Sequence, residues 1–275
     1  MNTEEIKKIK TYLIDMDGTV YLGGKLLPGA AEAVAALRRS GARICFLTNN
    51  SSVSARDYLQ KLARLGIPVT ADEIYTSQAA TVAYVKKRYP DKSVYLLGTP
   101  ALQSDFSDNG IAVTETDPDL AVIGYDTTLT YARLAKFCGL VRKGLPYIAT
   151  HPDLNCPSPE GMLPDAGSMI ELIYASAGRR PDIICGKPHA PMYDGVAEKF
   201  RITDPRTVAM VGDRMTTDLA FAKNNGFVGI LVLTGETTPG LLKEIVARDP
   251  AQEPDLVLES ICGLTEYVCK KSCKS

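Results

Sequence analysis

Two aspartates one residue apart, Asp15 and Asp17, follow the apolar run "TYLI" and precede Gly18 and Thr19. Extended residues two apart point to the same side, so both carboxylates can face one site. The glycine and threonine then let the chain turn away. Three further segments end an apolar run in polar residues. "FLTNNSS" offers the hydroxyl of Thr48 and the amides of Asn49 and Asn50. Such donors suit phosphate oxygens at the start of a helix, and they equally suit an N-cap and turn. "ICGKPHAPM" holds Lys187 ahead of a proline, which keeps it out of a helix. A lysine there can neutralise a phosphoryl group as a point charge, or sit as an ordinary solvated loop residue. "VAMVGDRMTTDLAFAKNNG" places Asp213 at a strand tip and Asp218 in the first helical turn, where it could simply complement the helix dipole. Asp15, Asp17 and Asp213 together supply hard oxygen ligands of the kind that hold Mg2+ beside a phosphate.

These residues need a scaffold that brings strand ends together. "TYLID", "ARICFLT", "TVAMVGD", "FVGILVLT" and "DLVLES" read as buried strands. "AAEAVAALRRSG" reads as a helix stopped at Gly41, and "SARDYLQKLARLG" as one capped by Ser54 and stopped at Gly66. "TTDLAFAKNNG" reads as a helix capped by Thr216 or Thr217 and stopped at Gly226. This alternation predicts an α/β fold, a Rossmann-like parallel sheet with helices on both faces. Ligands in such sheets bind beyond the carboxyl ends of the strands, where the polar tips lie.

The stretch between "FLTNNSS" and Lys187 is too long for one crossover. It contains strands at "KSVYLLG", "DLAVIGYD" and "LPYIAT", with helices at "TVAYVKKRY", "YARLAKFCGLVRKG" and "SMIELIYASAG". We read it as an inserted α/β domain at 80–184, between core segments 1–79 and 185–275.

Bulk properties exclude several classes. The chain has 275 residues, of which 45% are hydrophobic and 23% charged, with net charge −1. No global field draws it to nucleic acid or an anionic membrane. The charged start "MNTEEIKKIK" and seven scattered cysteines suggest a cytoplasmic protein with free thiols. Cys262, Cys269 and Cys273 show no C-x-x-C pair and no nearby histidine, and a frayed terminal helix accounts for them better than a metal site.

The order D-x-D-G-T, Thr-Asn-Asn, Gly-Lys-Pro and G-D-x-x-x-x-D resembles the haloacid dehalogenase-like superfamily, in its NagD-like or p-nitrophenyl phosphatase branch. That branch carries its cap domain between the second and third motifs, and the resemblance covers nearly the whole chain. It implies a Mg2+-dependent phosphatase of small phosphomonoesters such as a sugar phosphate or nucleoside monophosphate. Asp15 would be the nucleophile that forms an aspartyl-phosphate, and Asp17 the proton donor and later the base. Asp15, Asp213 and the backbone carbonyl of Asp17 would hold the metal. Thr48, the backbone of Asn49 and Lys187 would hold the phosphoryl oxygens, with Asp218 orienting Lys187 or the metal shell. The cap segment 151–168 carries His151, Asp153, Asn155, Glu160, Asp165 and Ser168. His151 and "PDAG" stand where the branch more often has Asn or Asp and P-G-T/A-G, and His151 is the candidate substrate contact there. The expected partner is a small phosphorylated metabolite rather than nucleic acid or membrane, and apolar cap surfaces could pair two chains as a homodimer. A phospho-accepting signalling domain, an idle binding protein on the same fold and a phosphomutase are the alternatives to a hydrolase.

Overall fold

The computed structural model describes residues 3–158 and 161–268. Glu160, Cys269 and Cys273 lie outside the described residues. The chain divides into two compact units. One comprises Met1–Thr48, Leu59–Tyr75 and Phe200–Ser275, and the other Asn49–Tyr58 and Thr76–Lys199.

The first unit is built on a six-stranded sheet. Its strands are β1 (Thr11–Ile14), β4 (Arg43–Thr48), β5 (Ile74–Thr76), β12 (Val208–Gly212), β13 (Val228–Val232) and β14 (Leu256–Leu258). Their order is β14-β13-β12-β1-β4-β5. β1 pairs in parallel with both β12 and β4, and β13 in parallel with both β12 and β14. All of β1 and β12 is buried, as are five of the six residues of β4. Continuous apolar strands of this kind need helices on both faces to exclude water, which is why they lack a polar alternation. The five strands expected from "TYLID", "ARICFLT", "TVAMVGD", "FVGILVLT" and "DLVLES" are all in this sheet. A two-residue hairpin, β2 (Tyr21–Leu22) with β3 (Lys25–Leu26), follows the first aspartates.

The helix from the "AAEAVAALRRSG" pattern spans Ala30–Arg39 and is followed by Gly41 at φ 80°. A left-handed turn of this kind is open to glycine without strain. The helix Ala55–Arg64 begins at Ser54, whose hydroxyl accepts the Asp57 N–H, as expected of a cap. The segment at "TTDLAFAKNNG" differs from expectation. A wide π-helical turn at Met215–Leu219 precedes a short α-helix at Ala220–Asn224. Neither Thr216 nor Thr217 caps it. The cap position is Arg214, whose N–H donates to Asp218 Oδ2 at 3.1 Å. The Asp218 carboxylate thus accepts the N–H of the cap residue itself, and no side chain at the cap position accepts a first-turn N–H.

The second unit has its own parallel sheet of four strands, which in spatial order are Ile183–Ile184, Tyr147–Ala149, Leu120–Ile123 and Val94–Leu97. The strands are β6 (Val94–Leu97), β7 (Leu120–Ile123), β8 (Tyr147–Ala149) and β11 (Ile183–Ile184). Helices Ser77–Arg88, Pro100–Asp108, Tyr131–Arg142 and Ala166–Ala177 accompany them. Part of the core is an aromatic cluster in which Phe137 meets Tyr147 edge-on at 5.2 Å and Tyr95 at 6.2 Å. An antiparallel hairpin, β9 (Asn155–Ser158) with β10 (Gly161–Pro164), leads into the helix at Ala166. Among the described residues no helix is long and apolar enough to cross a membrane.

Candidate active site

Parallel pairing sets the strand ends side by side. Ile14 lies opposite Val211 on one flank and Phe46 on the other. Asp15 therefore emerges next to the end of β12, and its N–H donates to Val211 O at 2.9 Å. Asp213 leaves the same edge two residues beyond Val211, and the π-helical turn returns Asp218 toward it. One carboxylate oxygen from each of Asp15, Asp213 and Asp218 lies within 4.8 Å of the others.

Three carboxylates at this spacing are electrostatically costly. Two unit charges 4.8 Å apart repel by about 3.5 kcal/mol at an effective dielectric of about 20. The cluster is also withdrawn from water, since Asp213 is 2% and Asp218 1% exposed. Burial first, and the charge of Asp218 second, push the Asp213 carboxyl well above the usual carboxylate range. Its Oδ2 accepts the Glu236 N–H at 2.7 Å, whereas its buried Oδ1 has no hydrogen-bond partner. A cation at this place would satisfy that oxygen and remove the repulsion. Hard oxygen donors with room for water fit Mg2+.

A loop after β13 completes the surroundings of Asp213 and had no place in the sequence reading. Its Gly235 lies so close to Asp213 that an added Cβ would overlap Oδ2 and lie 2.5 Å from Cγ. Thr237 N–H donates to Asp213 O at 3.2 Å, and Thr234 Oγ1 donates to Gly18 O at 2.6 Å. Arg214 pairs with Glu236 at 3.1 Å, tying the loop to the residue after Asp213. The available signal was a further apolar strand ending in "TGETT" on the same sheet edge.

Asp17 is half-buried and receives a hydrogen bond from Tyr21 Oη at 3.1 Å on Oδ2. Lys61 Nζ lies 4.0 Å from Oδ1 and 3.6 Å from the centre of the Tyr21 ring. The hairpin that begins at Tyr21 thus holds this carboxyl. Thr48 ends β4 and is buried.

The remaining candidates belong to the second unit. Lys187 is 1% exposed. Its backbone is gripped at both ends by one side chain, since its N–H donates to Asn49 Oδ1 at 2.8 Å and its carbonyl accepts from Asn49 Nδ2 at 3.0 Å. Asn49 Nδ2 also donates to Asp153 Oδ1 at 2.9 Å. The Asn49 side-chain amide is therefore engaged in positioning the Lys187 segment. Asn50 Oδ1 accepts from the N–H and the hydroxyl of Ser52, the turn role open to it from the sequence. His151 is fully buried, with its Nε2 3.5 Å from Asp165 Oδ1. Cys262 is in neither of the described clusters with metal-binding spacing.

The sequence and fold have known counterparts. A haloacid dehalogenase-like hydrolase model matches residues 12–112, and a second, HAD-hydrolase-like model matches 184–264. The 5'-nucleotidase YutF of Bacillus subtilis is 32% identical over 263 residues, covering 96% of this chain and all of the relative. The chain belongs to the haloacid dehalogenase-like hydrolases, in their NagD-like branch. A 4-nitrophenylphosphatase from Thermotoga maritima is 46% identical with a TM-score of 0.89, covering 96% of this chain and 99% of that one. A glycerol phosphate phosphatase from Mycobacterium tuberculosis, in complex with magnesium, is 27% identical with a TM-score of 0.85, covering 94% of this chain and 77% of that one. A divalent metal is thus a feature of a solved member of the family, and the oxygen cluster of this chain suits one.

Proposed function

We propose that this hydrolase is a Mg2+-dependent phosphatase of small phosphomonoesters, sugar phosphates or nucleoside monophosphates, that works through an aspartyl-phosphate on Asp15. The observation that carries the reading is the cluster of Asp15, Asp213 and Asp218 at adjoining strand ends, with a buried Asp213 oxygen lacking a hydrogen-bond partner. Asp15 Oδ attacks phosphorus, the phosphorus–ester oxygen bond breaks, and Asp17 gives its proton to the departing alkoxide. Asp17, now a carboxylate anchored by Tyr21, takes a proton from the water that cleaves the acyl phosphate, which frees Asp15 and inorganic phosphate. Asp15, Asp213 and the Asp17 carbonyl would hold the ion, with Asp218 buttressing them. It would screen the negative nucleophile from the negative phosphoryl group. Thr48, the Asn49 backbone and Lys187 supply donors and charge for the phosphoryl oxygens, following the order of the family's motifs. The relatives named for nucleotide, nitrophenyl phosphate and glycerol phosphate hydrolysis support this substrate class.

The test is phosphate release from p-nitrophenyl phosphate, sugar phosphates, nucleoside monophosphates and glycerol phosphate, with Mg2+ or with EDTA, by wild type and Asp15→Asn. Multiple turnovers that need Mg2+ and vanish in Asp15→Asn are expected. A folded wild type that turns over none of these esters would refute the phosphatase reading. Stoichiometric phosphorylation without release would turn it toward a phospho-accepting domain or a mutase.

A further inference from the structure

The second unit contains another group of potential ligands, made of different donors. His151 follows β8 by two residues, Asp153 lies two residues further on in the link to β9, and Asp165 sits at the far end of the β9–β10 hairpin. One ligand atom from each lies within 4.8 Å of the others. His151 is 0% exposed, and neither ring nitrogen makes a hydrogen bond. A buried polar group without a partner costs about 1–3 kcal/mol, so an imidazole with both nitrogens unpartnered needs a reason. Its Nε2 lies 3.5 Å from Asp165 Oδ1 and forms no hydrogen bond to it. Asp165 is 3% exposed, and the Ala166 N–H donates to the same Oδ1. Asp153 accepts its Asn49 hydrogen bond on Oδ1, which fixes that carboxylate from outside the group.

We propose that His151, Asp153 and Asp165 are a second cation site, for a borderline transition-metal ion such as Zn2+ or Mn2+, that clips the base of the β9–β10 hairpin. Metal–ligand bonds of about 2.0–2.1 Å place tetrahedral ligand atoms about 3.3 Å apart and opposite octahedral ones about 4.2 Å apart. The observed 3.5 Å between His151 Nε2 and Asp165 Oδ1 is within a few tenths of an ångström of the tetrahedral spacing, and all three ligand atoms lie within 4.8 Å of one another. An imidazole nitrogen with carboxylates selects transition metals over Mg2+, in contrast to the all-oxygen group of Asp15, Asp213 and Asp218. The backbone has already drawn the neck of the hairpin together. Asp165 N–H donates to Leu154 O at 2.9 Å, and Gly167 N–H donates to Asp153 O at 2.8 Å. Gly167 permits that approach, since a Cβ there would lie 2.7 Å from Asp153 O. A metal joining residues on both sides of this neck would hold the hairpin in one pose.

The proposal stands apart from the phosphatase reading, and its test needs no turnover. Metal-stripped full-length protein is titrated with Zn2+ in wild type, Asp213→Asn, Asp213→Asn/Asp165→Asn and Asp213→Asn/His151→Gln. Asp213→Asn should retain one equivalent of Zn2+, and each double variant should bind it more than about tenfold more weakly. Imidazole NMR resolves the site in the wild type itself, because the chain has two histidines. Ring signals of His151 should move on Zn2+ addition while those of His189 stay in place. Zn2+ should also slow proteolysis within 154–164. A folded Asp213→Asn that binds no Zn2+, Zn2+ binding undiminished in Asp213→Asn/Asp165→Asn, or unmoved His151 signals would overturn the proposal. Asp165→Asn keeps an oxygen for the helix cap, so it carries the test if His151→Gln does not fold.

Discussion

The clearance at Gly235 makes a sharp prediction about how Asp213 is held. A methyl group at Gly235 would overlap Asp213 Oδ2 and lie 2.5 Å from Cγ. Restoring an ordinary carbon–carbon separation of about 3.5 Å requires about 1 Å of movement. Moving the loop instead of the carboxylate would relieve the overlap only by stretching the bonds that Glu236 N–H and Thr237 N–H make to Asp213 from the same segment. The backbone of Gly235 does not lie in the left-handed region, so the substitution acts through contact and not through φ. A misplacement of about 1 Å in a reacting site costs about a hundredfold in rate, or about 2.7 kcal/mol in the barrier. Overpacking of this kind should lower stability by about 1–3 kcal/mol as well. The assay is steady-state hydrolysis of p-nitrophenyl phosphate across Mg2+ concentration, beside urea unfolding. Gly24→Ala is the control, because a Cβ there meets nothing within 4 Å. We expect Gly235→Ala to lose about a hundredfold in kcat and to need more Mg2+, with Gly24→Ala close to wild type. A Gly235→Ala enzyme within about threefold of wild-type kcat would show that the loop does not clamp Asp213.

Other expectations follow from the same contacts. Asn49→Ala removes both bonds that grip the Lys187 backbone and leaves the buried Lys187 N–H without its acceptor, so urea unfolding should report a loss of about 2–4 kcal/mol and activity should fall with it; unchanged stability would contradict this role. Burial pushes the Cys185 thiol up to about 12, so iodoacetamide at pH 8 should label half-buried Cys156 and Cys262 well before Cys185, as read by peptide mass mapping. The Asp119 carboxyl is lowered to about 2 by hydrogen bonds from the Ser93 N–H, Lys92 and the Ser93 hydroxyl. A depressed carboxyl stabilises the fold above its unfolded pKa and loses that contribution as pH falls through its folded one. The Tm difference between wild type and Asp119→Asn should therefore be largest at neutral pH and narrow between about pH 4 and 2; a difference independent of pH would be evidence against it.

The reading of the sequence succeeded where chemistry is local. Buried parallel strands announce themselves as short apolar runs, and the carboxyl end of each is simply the next residue. Asp15 after β1, Thr48 at the end of β4 and Asp213 after β12 were legible for that reason. Local rules also found Ser54 as a cap and Gly41 as a stop, since both act within one turn of their own helix. They failed at Thr216 and Thr217, where Asp218 Oδ2 takes the Arg214 N–H and the turn widens. Short elements such as the β9–β10 hairpin escaped notice because their residues are partly exposed and carry no apolar run.

The sequence by itself determined the donor types and the strand tips that present them, because side-chain chemistry and alternation are properties of neighbouring residues. Only the tertiary structure decided which donors share a small volume. It brought Gly235 and Glu236 against Asp213 across more than twenty residues, and Asn49 against the backbone of Lys187 across 138. It also placed His151, which precedes the hairpin, beside Asp165, which follows it. Such contacts are made by strands that pair in space out of chain order, and no spacing within the sequence encodes the distance between their ends.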